Sequence, residues 1–199
     1  MSTSIEPVAE VPYTYERSLF FYPEYVQDGE TKVYYDELTV VQLTNKSFTQ
    51  FLLLIPLFKI RTVGLHLGVR GAPNALPFKQ STASAFAFPT ARMKDLDVIY
   101  KEILTYTIQL LLPVLTKTLL RNIKNGEAVK FSGLTVTRNS IVAKRSFGRT
   151  QELDEYGGCK IQKTGVYVFD GRGRVFYSLS LFDDNALALP AILDTLFRD

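Results

Sequence analysis

The sequence predicts an α+β, β-rich protein: two antiparallel β modules connected by a long, kinked apolar helix, with a second helix closing the chain. Three observations carry that expectation. From about residue 92 to 125 apolar residues recur at steps of three and four, the period of an amphipathic helix. On both sides of this stretch the period drops to two, and β-branched and aromatic residues gather in short runs between turn formers. Hydrophobic residues make up 46% of the 199, enough to bury a substantial core without covalent staples.

Residues 1–17 mix acids, prolines and tyrosines without a sustained period, which predicts a loose leader docking through Tyr13 or Tyr15. The first β module then spans 18–91. In 31–45 the β-prone residues Val33, Tyr35, Leu38, Val40, Val41 and Leu43 flank the turn formers Asp36 and Glu37, as a hairpin or a bent strand would. Residues 51–70 read as two strands, with Pro56 marking a break or an edge position. Gly, Pro and Asn crowd 71–77, which predicts a loop, and 81–88 predicts a short strand with Phe86 and Phe88 on one face.

The helix predicted over 92–125 presents Leu96, Ile99, Ile103, Leu111, Leu115, Leu119 and Ile123 at helical spacing. Pro113 predicts a kink or break, and Asn125 followed by Gly126 predicts the C-terminal cap. Between Ile103 and Leu115 the helix is apolar nearly all round, so it is expected to be covered on more than one side as a core shared by the modules. The second module, 126–199, is predicted to hold strands at 129–137, 140–145, 151–156, 159–163, 165–169 and 175–181, with Asp170 and Gly171 in a tight hairpin turn. A closing helix over 185–197 is expected to bury Leu187, Ile192, Leu193, Leu196 and Phe197, to use Asp183 or Asp184 as cap, and to carry Pro190 near its start.

Composition excludes several classes of function. The single cysteine, Cys159, has no disulfide partner in the chain, and as a nucleophile it lacks a histidine base; it reads as a small buried hydrophobe. The single histidine, His66, lies in an alternating strand with no second ligand type nearby. Neither catalysis, a metal nor a cofactor is expected. Glu152, Asp154 and Glu155 read as the solvated face of a strand. Asp170-Gly-Arg-Gly-Arg174 lacks the Lys-Ser or Lys-Thr ending of a phosphate loop and leads into a strand, so it reads as a hairpin turn. A net charge of +3 with Lys and Arg spread along the chain is too thin a basic footprint for nucleic acid. The N-terminus lacks the pattern of a secretory signal, and the apolar stretches 48–58 and 103–116 fall short of the roughly 20 residues that span a bilayer. Both stretches are expected inside a cytoplasmic protein that is not transmembrane, with peripheral membrane association as the second expectation.

Residues 29–40 and 126–136 share the order Gly-Glu, strand, small turn, Leu-Thr-Val, which suggests an internal repeat. In the second copy, Gly126 and Glu127, Val129 to Val136, Gln151 to Glu155, the hairpin of 165–169 with 174–177, and the helix from Asn185 to Leu193 follow one another as several antiparallel strands capped by one helix. This pattern resembles the bacterial pleckstrin-homology-like (PH-like) domains, best over 126–199 and poorly over 29–112, and it departs from many of them in having no tryptophan. The resemblance implies two PH-like modules, the first degenerate, and a non-catalytic binding or scaffold role. In that fold the first hairpin commonly holds headgroup phosphates, which singles out Arg138, Lys144, Arg145 and Arg149 as candidate ligand-binding residues. Two partner classes stay open, a protein and an anionic lipid headgroup. The alternative function is a lipid carrier with an apolar cavity around the central helix, distinguished by whether the interior is filled by the protein's own side chains.

Overall fold

The computed structural model describes residues 6–14, 16–52, 55–85, 90–162 and 165–198, and the chain divides into two compact units, 1–111 and 112–199. The expectations placed on Tyr15, Phe86 and Phe88 fall outside the described residues.

In the first unit, β1 (Ala9–Pro12), β2 (Ser18–Phe21), β3 (Tyr25–Asp28) and β4 (Thr31–Tyr34) pair in chain order as an antiparallel meander. The segment expected to be a loose leader therefore contains an edge strand. Val11 is fully buried, and buried Tyr13 donates its hydroxyl to Asp28 Oδ1 at 2.5 Å while its ring meets Phe78 edge-on. Four residues are too few to show a period, yet they suffice once Leu19 and Phe21 lie opposite. The β3–β4 turn is just Gly29 and Glu30, with Gly29 at φ 58°, the positive φ that tight hairpin turns favour.

One turn of 3-10 helix at Tyr35–Glu37 then steers the chain into a second sheet. Its pivot is buried Tyr35, whose hydroxyl donates to the Tyr22 carbonyl at 2.8 Å. Residues 31–45 thus bend between sheets and form no hairpin. The second sheet is β5 (Leu38–Leu52), β6 (Ile55–Val69) and β7 (Ala72–Ala85), with β6 central. The loop expected over 71–77 is strand from Ala72 onward. β7 lies at the sheet edge, where Pro73 and Pro77, which have no N–H to give, are tolerated.

Helix α1 (Ala91–Tyr106) starts at Thr90, whose Oγ1 accepts the Met93 N–H at 3.3 Å. It packs Met93, Leu96, Ile99 and Ile103 against β6, β7 and β1, and Asp97 pairs with Arg61 of β6. A π turn at Thr107–Leu111 leads directly into α2 (Leu112–Lys124). Pro113 cannot bond to the Gln109 carbonyl and crowds it, and widening to a π turn accommodates both problems. The expected break near Pro113 takes this form. Buried residues recur at 99, 103, 107, 111, 115, 119 and 123. A four-residue step overshoots each α-helical turn by about 40°, and the π turn takes back part of that drift.

By length and composition, Ala91–Lys124 could cross a membrane, and only 28% of its most apolar window is buried. Coverage on more than one side between Ile103 and Leu115 was the expectation; instead full burial is confined to Ile103, Thr107, Leu111 and Leu115, while Ile108 is 46% exposed. Phe48, expected inside, is 58% exposed.

In the second unit, α2 ends in a Schellman cap: the Gly126 N–H donates to the Ile123 carbonyl and the Glu127 N–H to the Asn122 carbonyl, with Gly126 at φ 92°. A four-stranded meander follows, β8 (Val129–Phe131), β9 (Leu134–Val136), β10 (Ile141–Lys144) and β11 (Thr150–Glu152). The single strand expected over 129–137 is two strands folded about Ser132 and Gly133. The second sheet is β12 (Tyr156–Gln162), β13 (Gly165–Asp170) and β14 (Val175–Ser180), and α3 (Leu189–Phe197) closes the unit on β12 and α2. Pro190 lies in the first turn of α3, as expected. Neither Asp183 nor Asp184 caps it; Asp183 Oδ2 accepts the Ser180 N–H in the preceding turn.

Each unit therefore runs four-stranded meander, three-stranded meander, helix. The matching stretches of sequence do not occupy equivalent places in that order. Residues 29–40 cover the fourth strand of their unit and the start of the fifth, whereas 126–136 cover the first and second strands of theirs.

Candidate functional site

The four basic residues singled out by sequence do not converge, and they are not on the first hairpin of their unit, whose turn is Ser132 and Gly133. Arg138 lies in the β9–β10 turn, where Thr137 Oγ1 accepts the Asn139 and Ser140 N–H groups. Lys144, Arg145 and Arg149 lie at the opposite end of β10, around the β10–β11 loop.

Within that trio the roles divide. Arg145 is a structural cation: Nε donates to Gln151 Oε1 at 2.9 Å, an Nη to the Phe176 carbonyl at 2.6 Å, and the guanidinium lies 4.9 Å from the Phe176 ring centroid. It ties the β10–β11 end of one sheet to β14 of the other. Replacing Arg145 by methionine is expected to lower stability by about 2 kcal/mol, the worth of charged hydrogen bonds and a cation–π contact together. Arg138→Met should stay within about 0.5 kcal/mol of the parent. Urea denaturation of the two variants checks this, and equal losses would remove the structural role.

Lys144 and Arg149 are exposed, one on each side of a tight loop closed by the Arg145 N–H donating to the Arg149 carbonyl at 2.7 Å. At its tip Phe147 is fully exposed, with φ 61° and ψ 29°, and Gly148 follows at φ 73°. A phenylalanine in left-handed backbone, with its ring entirely in water, is unfavourable on both counts. Sequence reasoning passed over Phe147; the available signal was an aromatic residue enclosed by Ser146 and Gly148 between two arginines.

The other motifs resolve into structure. Asp170 Oδ1 accepts the N–H groups of Arg172 and Arg174, and Oδ2 accepts Arg174 Nε, which holds its carboxyl below the usual range. The turn's donors are thus met by its own carboxylate. Glu152 ends β11, while Asp154 and Glu155 lie in the connection to β12, so the three acids do not share one strand face. Burial, reinforced by Asp194, pushes the Cys159 thiol up to about 12, so it stays a thiol at neutral pH. His66 lies in central β6 between Gln42 and Pro77. Among the described residues no three His, Cys, Asp or Glu side chains gather as metal ligands would. No family model, curated protein or solved structure matches this chain.

Proposed function

We propose that the chain is a non-catalytic binding protein built from two PH-like units, and that the second unit docks on anionic lipid surfaces through the β10–β11 loop. The observation that carries this is fully exposed Phe147, held in left-handed backbone between exposed Lys144 and Arg149. An apolar wedge with cations beside it matches an interface whose headgroups are negative and whose interior is hydrocarbon. The element order of each unit, four strands, three strands and a helix, supports the PH-like reading.

The lipid-carrier alternative is less well supported. Phe21, Tyr35, Leu65 and Leu67 fill the interior of the first unit, and Phe131, Val136, Val168 and Ile192 that of the second. A groove of about 770 Å³ in the first unit is open, and Arg92, Asp95 and Glu102 are among its walls. An acyl chain would not choose those neighbours.

Burying the Phe147 ring contributes about 2–3 kcal/mol, and each cation near an anionic surface about 1 kcal/mol. The loop alone therefore supports affinity near the millimolar level. Flotation with neutral and anionic vesicles across a salt series tests it. The protein should float with anionic vesicles and release as salt rises. Phe147→Ala and the pair Lys144→Glu with Arg149→Glu should each weaken binding roughly tenfold or more. If Arg138→Glu weakens it as much, the loop is not the site; if nothing floats, a protein partner becomes the reading to pursue.

A further inference from the structure

The groove of the first unit that an acyl chain would avoid suits a different ligand. Its volume of about 770 Å³ falls within the range of ligand sites. One wall is the end of β1 with the residues after it, Pro12, Tyr13 and Thr14, and the other is a face of α1. Val98 follows Asp95 by three positions and precedes Glu102 by four, so the three stand in line on one helix face. That face runs beside the stripe of Met93, Leu96, Ile99 and Ile103 that α1 buries, and Ile99 belongs to both.

The β1 wall is held in place and offers few donors. The Tyr13 ring packs on Phe78 and its hydroxyl donates to Asp28, while the N–H groups of Tyr13 and Thr14 both donate to the Arg17 carbonyl, at 3.0 and 3.2 Å. Pro12 has no N–H at all. Because Tyr13 bonds to Arg17, Pro12 opposite Ser18 turns its carbonyl away from β2. The Arg92 guanidinium is tied to the Tyr13 carbonyl at 2.8 Å.

What remains is a set of acceptors around an apolar centre. Among the described residues neither the Asp95 nor the Glu102 carboxylate has a hydrogen-bond or ion-pair partner, and the two stand about 10 Å apart along the helix axis. Between them Val98, 55% exposed, holds an apolar side chain in water.

A ligand matched to these walls carries two cations for the carboxylates and an apolar group for Val98. The groove is open to solvent, as peptide grooves are, whereas small-molecule sites enclose most of their ligand. Addition of a strand to β1 is opposed by the missing Pro12 donor. Polyproline II needs no ladder bonds, and its equivalent positions come every three residues, about 9 Å apart. Two cations three positions apart therefore reach Asp95 and Glu102 together.

We propose that the β1–α1 groove binds an extended basic segment of a partner protein, with Lys or Arg at two positions three apart and an apolar residue between them. This is a second binding site, in the other unit, and it does not depend on the lipid reading of the β10–β11 loop.

NMR titration of the isotope-labelled protein tests it, with a synthetic peptide that has two arginines three positions apart, valine and proline between them and alanines at the ends. Amide shifts are expected to gather at Thr14, Asp95, Val98 and Glu102 and to shrink as salt rises. The pair Asp95→Asn with Glu102→Gln should weaken binding roughly tenfold, and Val98→Ser roughly threefold; the same spectra report whether each variant is folded. Glu37→Gln, outside the groove, should leave affinity unchanged. If a peptide with glutamates in place of the arginines binds as well, charge does not select the ligand and the proposal falls. If spermidine produces the same shifts at the same concentration, the occupant is a small organic cation and the peptide reading is overturned. Shifts scattered over the acids of both units, or none at millimolar peptide, would remove the groove as a site.

Discussion

Replacing Gly64 by alanine is expected to lower stability by about 3 kcal/mol, on the order of 10 °C in thermal midpoint, although it adds a single methyl group. Gly64 lies in the central strand β6, with Thr44 opposite on β5 and Lys79 opposite on β7. A Cβ built there would come 2.7 Å from the Phe78 carbonyl oxygen and 3.5 Å from the Lys79 Cα. Both are backbone atoms of a paired strand and cannot swing away as a side-chain tip could. The alternatives are to separate β6 from β7 locally or to shift the register, and a one-residue slip would turn Leu65 and Leu67 out of the core. Gly29 is the comparison. Its Cβ would meet nothing within 4 Å, and at φ 58° alanine would carry only the left-handed backbone penalty of about 1 kcal/mol. Equal losses in the two variants, measured by urea or thermal denaturation, would show that β7 yields and that the β6–β7 packing is looser than the register implies.

Where local chemistry decides structure, the fold was legible. The helix expected over 92–125 is observed over Ala91–Lys124, because its period runs long enough to be unmistakable and Gly126 supplies the one residue a Schellman cap needs. The hairpin about Asp170 was equally plain, since the turn residue and the flanking alternation agree. β1 was missed because its evidence is non-local: Val11 and Tyr13 become core residues only when Leu19, Phe21, Asp28 and Phe78 lie against them. The first part of β7, residues 72–77, was read as a loop because Pro73 and Pro77 argue against a strand in general, and nothing local says that this strand has a free edge, whereas its later part from Ser81 was expected as strand. The 3-10 turn at Tyr35–Glu37 was visible as a bend, but which sheet each side joins depends on pairings the sequence does not display.

The candidate site was legible as residue types and not as roles. Lys144, Arg145 and Arg149 look alike in sequence. What separates Arg145 is the Phe176 carbonyl and ring, thirty-one positions away, which turn one cation into a brace and leave the other two exposed. Phe147 was hidden for the opposite reason: an aromatic residue near a strand end is usually buried, and only the pair of left-handed residues at the loop tip puts this one outside. The acid-free span of residues 38–94 was plainly there to be read. Pairing places four of its seven cations in the β5–β6–β7 sheet, with Lys59 and Arg61 on the face of Val63, Leu65 and Leu67 and with Lys46 and Lys79 on the other, so they form no single patch.

Ile103→Asp is expected to cost about 4 kcal/mol or more, enough to unfold a domain of ordinary stability, whereas Ile108→Asp, five residues on, should cost less than about 1 kcal/mol. Ile103 is fully buried on the stripe that α1 presents to its unit, and aspartate there would leave a carboxylate unpaired among Leu96, Ile99 and the β6 side chains. Ile108 is 46% exposed within the π turn, where aspartate meets water and loses only helix propensity. The comparison bears on the membrane, because length and composition alone would let Ala91–Lys124 cross a bilayer. A helix that gives one stripe to a protein core and its other flank to water shows strong asymmetry between the two variants in far-UV circular dichroism and urea midpoint. A helix held in hydrocarbon penalises aspartate at both positions. If Ile108→Asp stays folded but loses vesicle flotation, the exposed flank of this helix is a further lipid contact. If it unfolds as Ile103→Asp does, that flank is covered in solution, and what covers it is the next structure to determine.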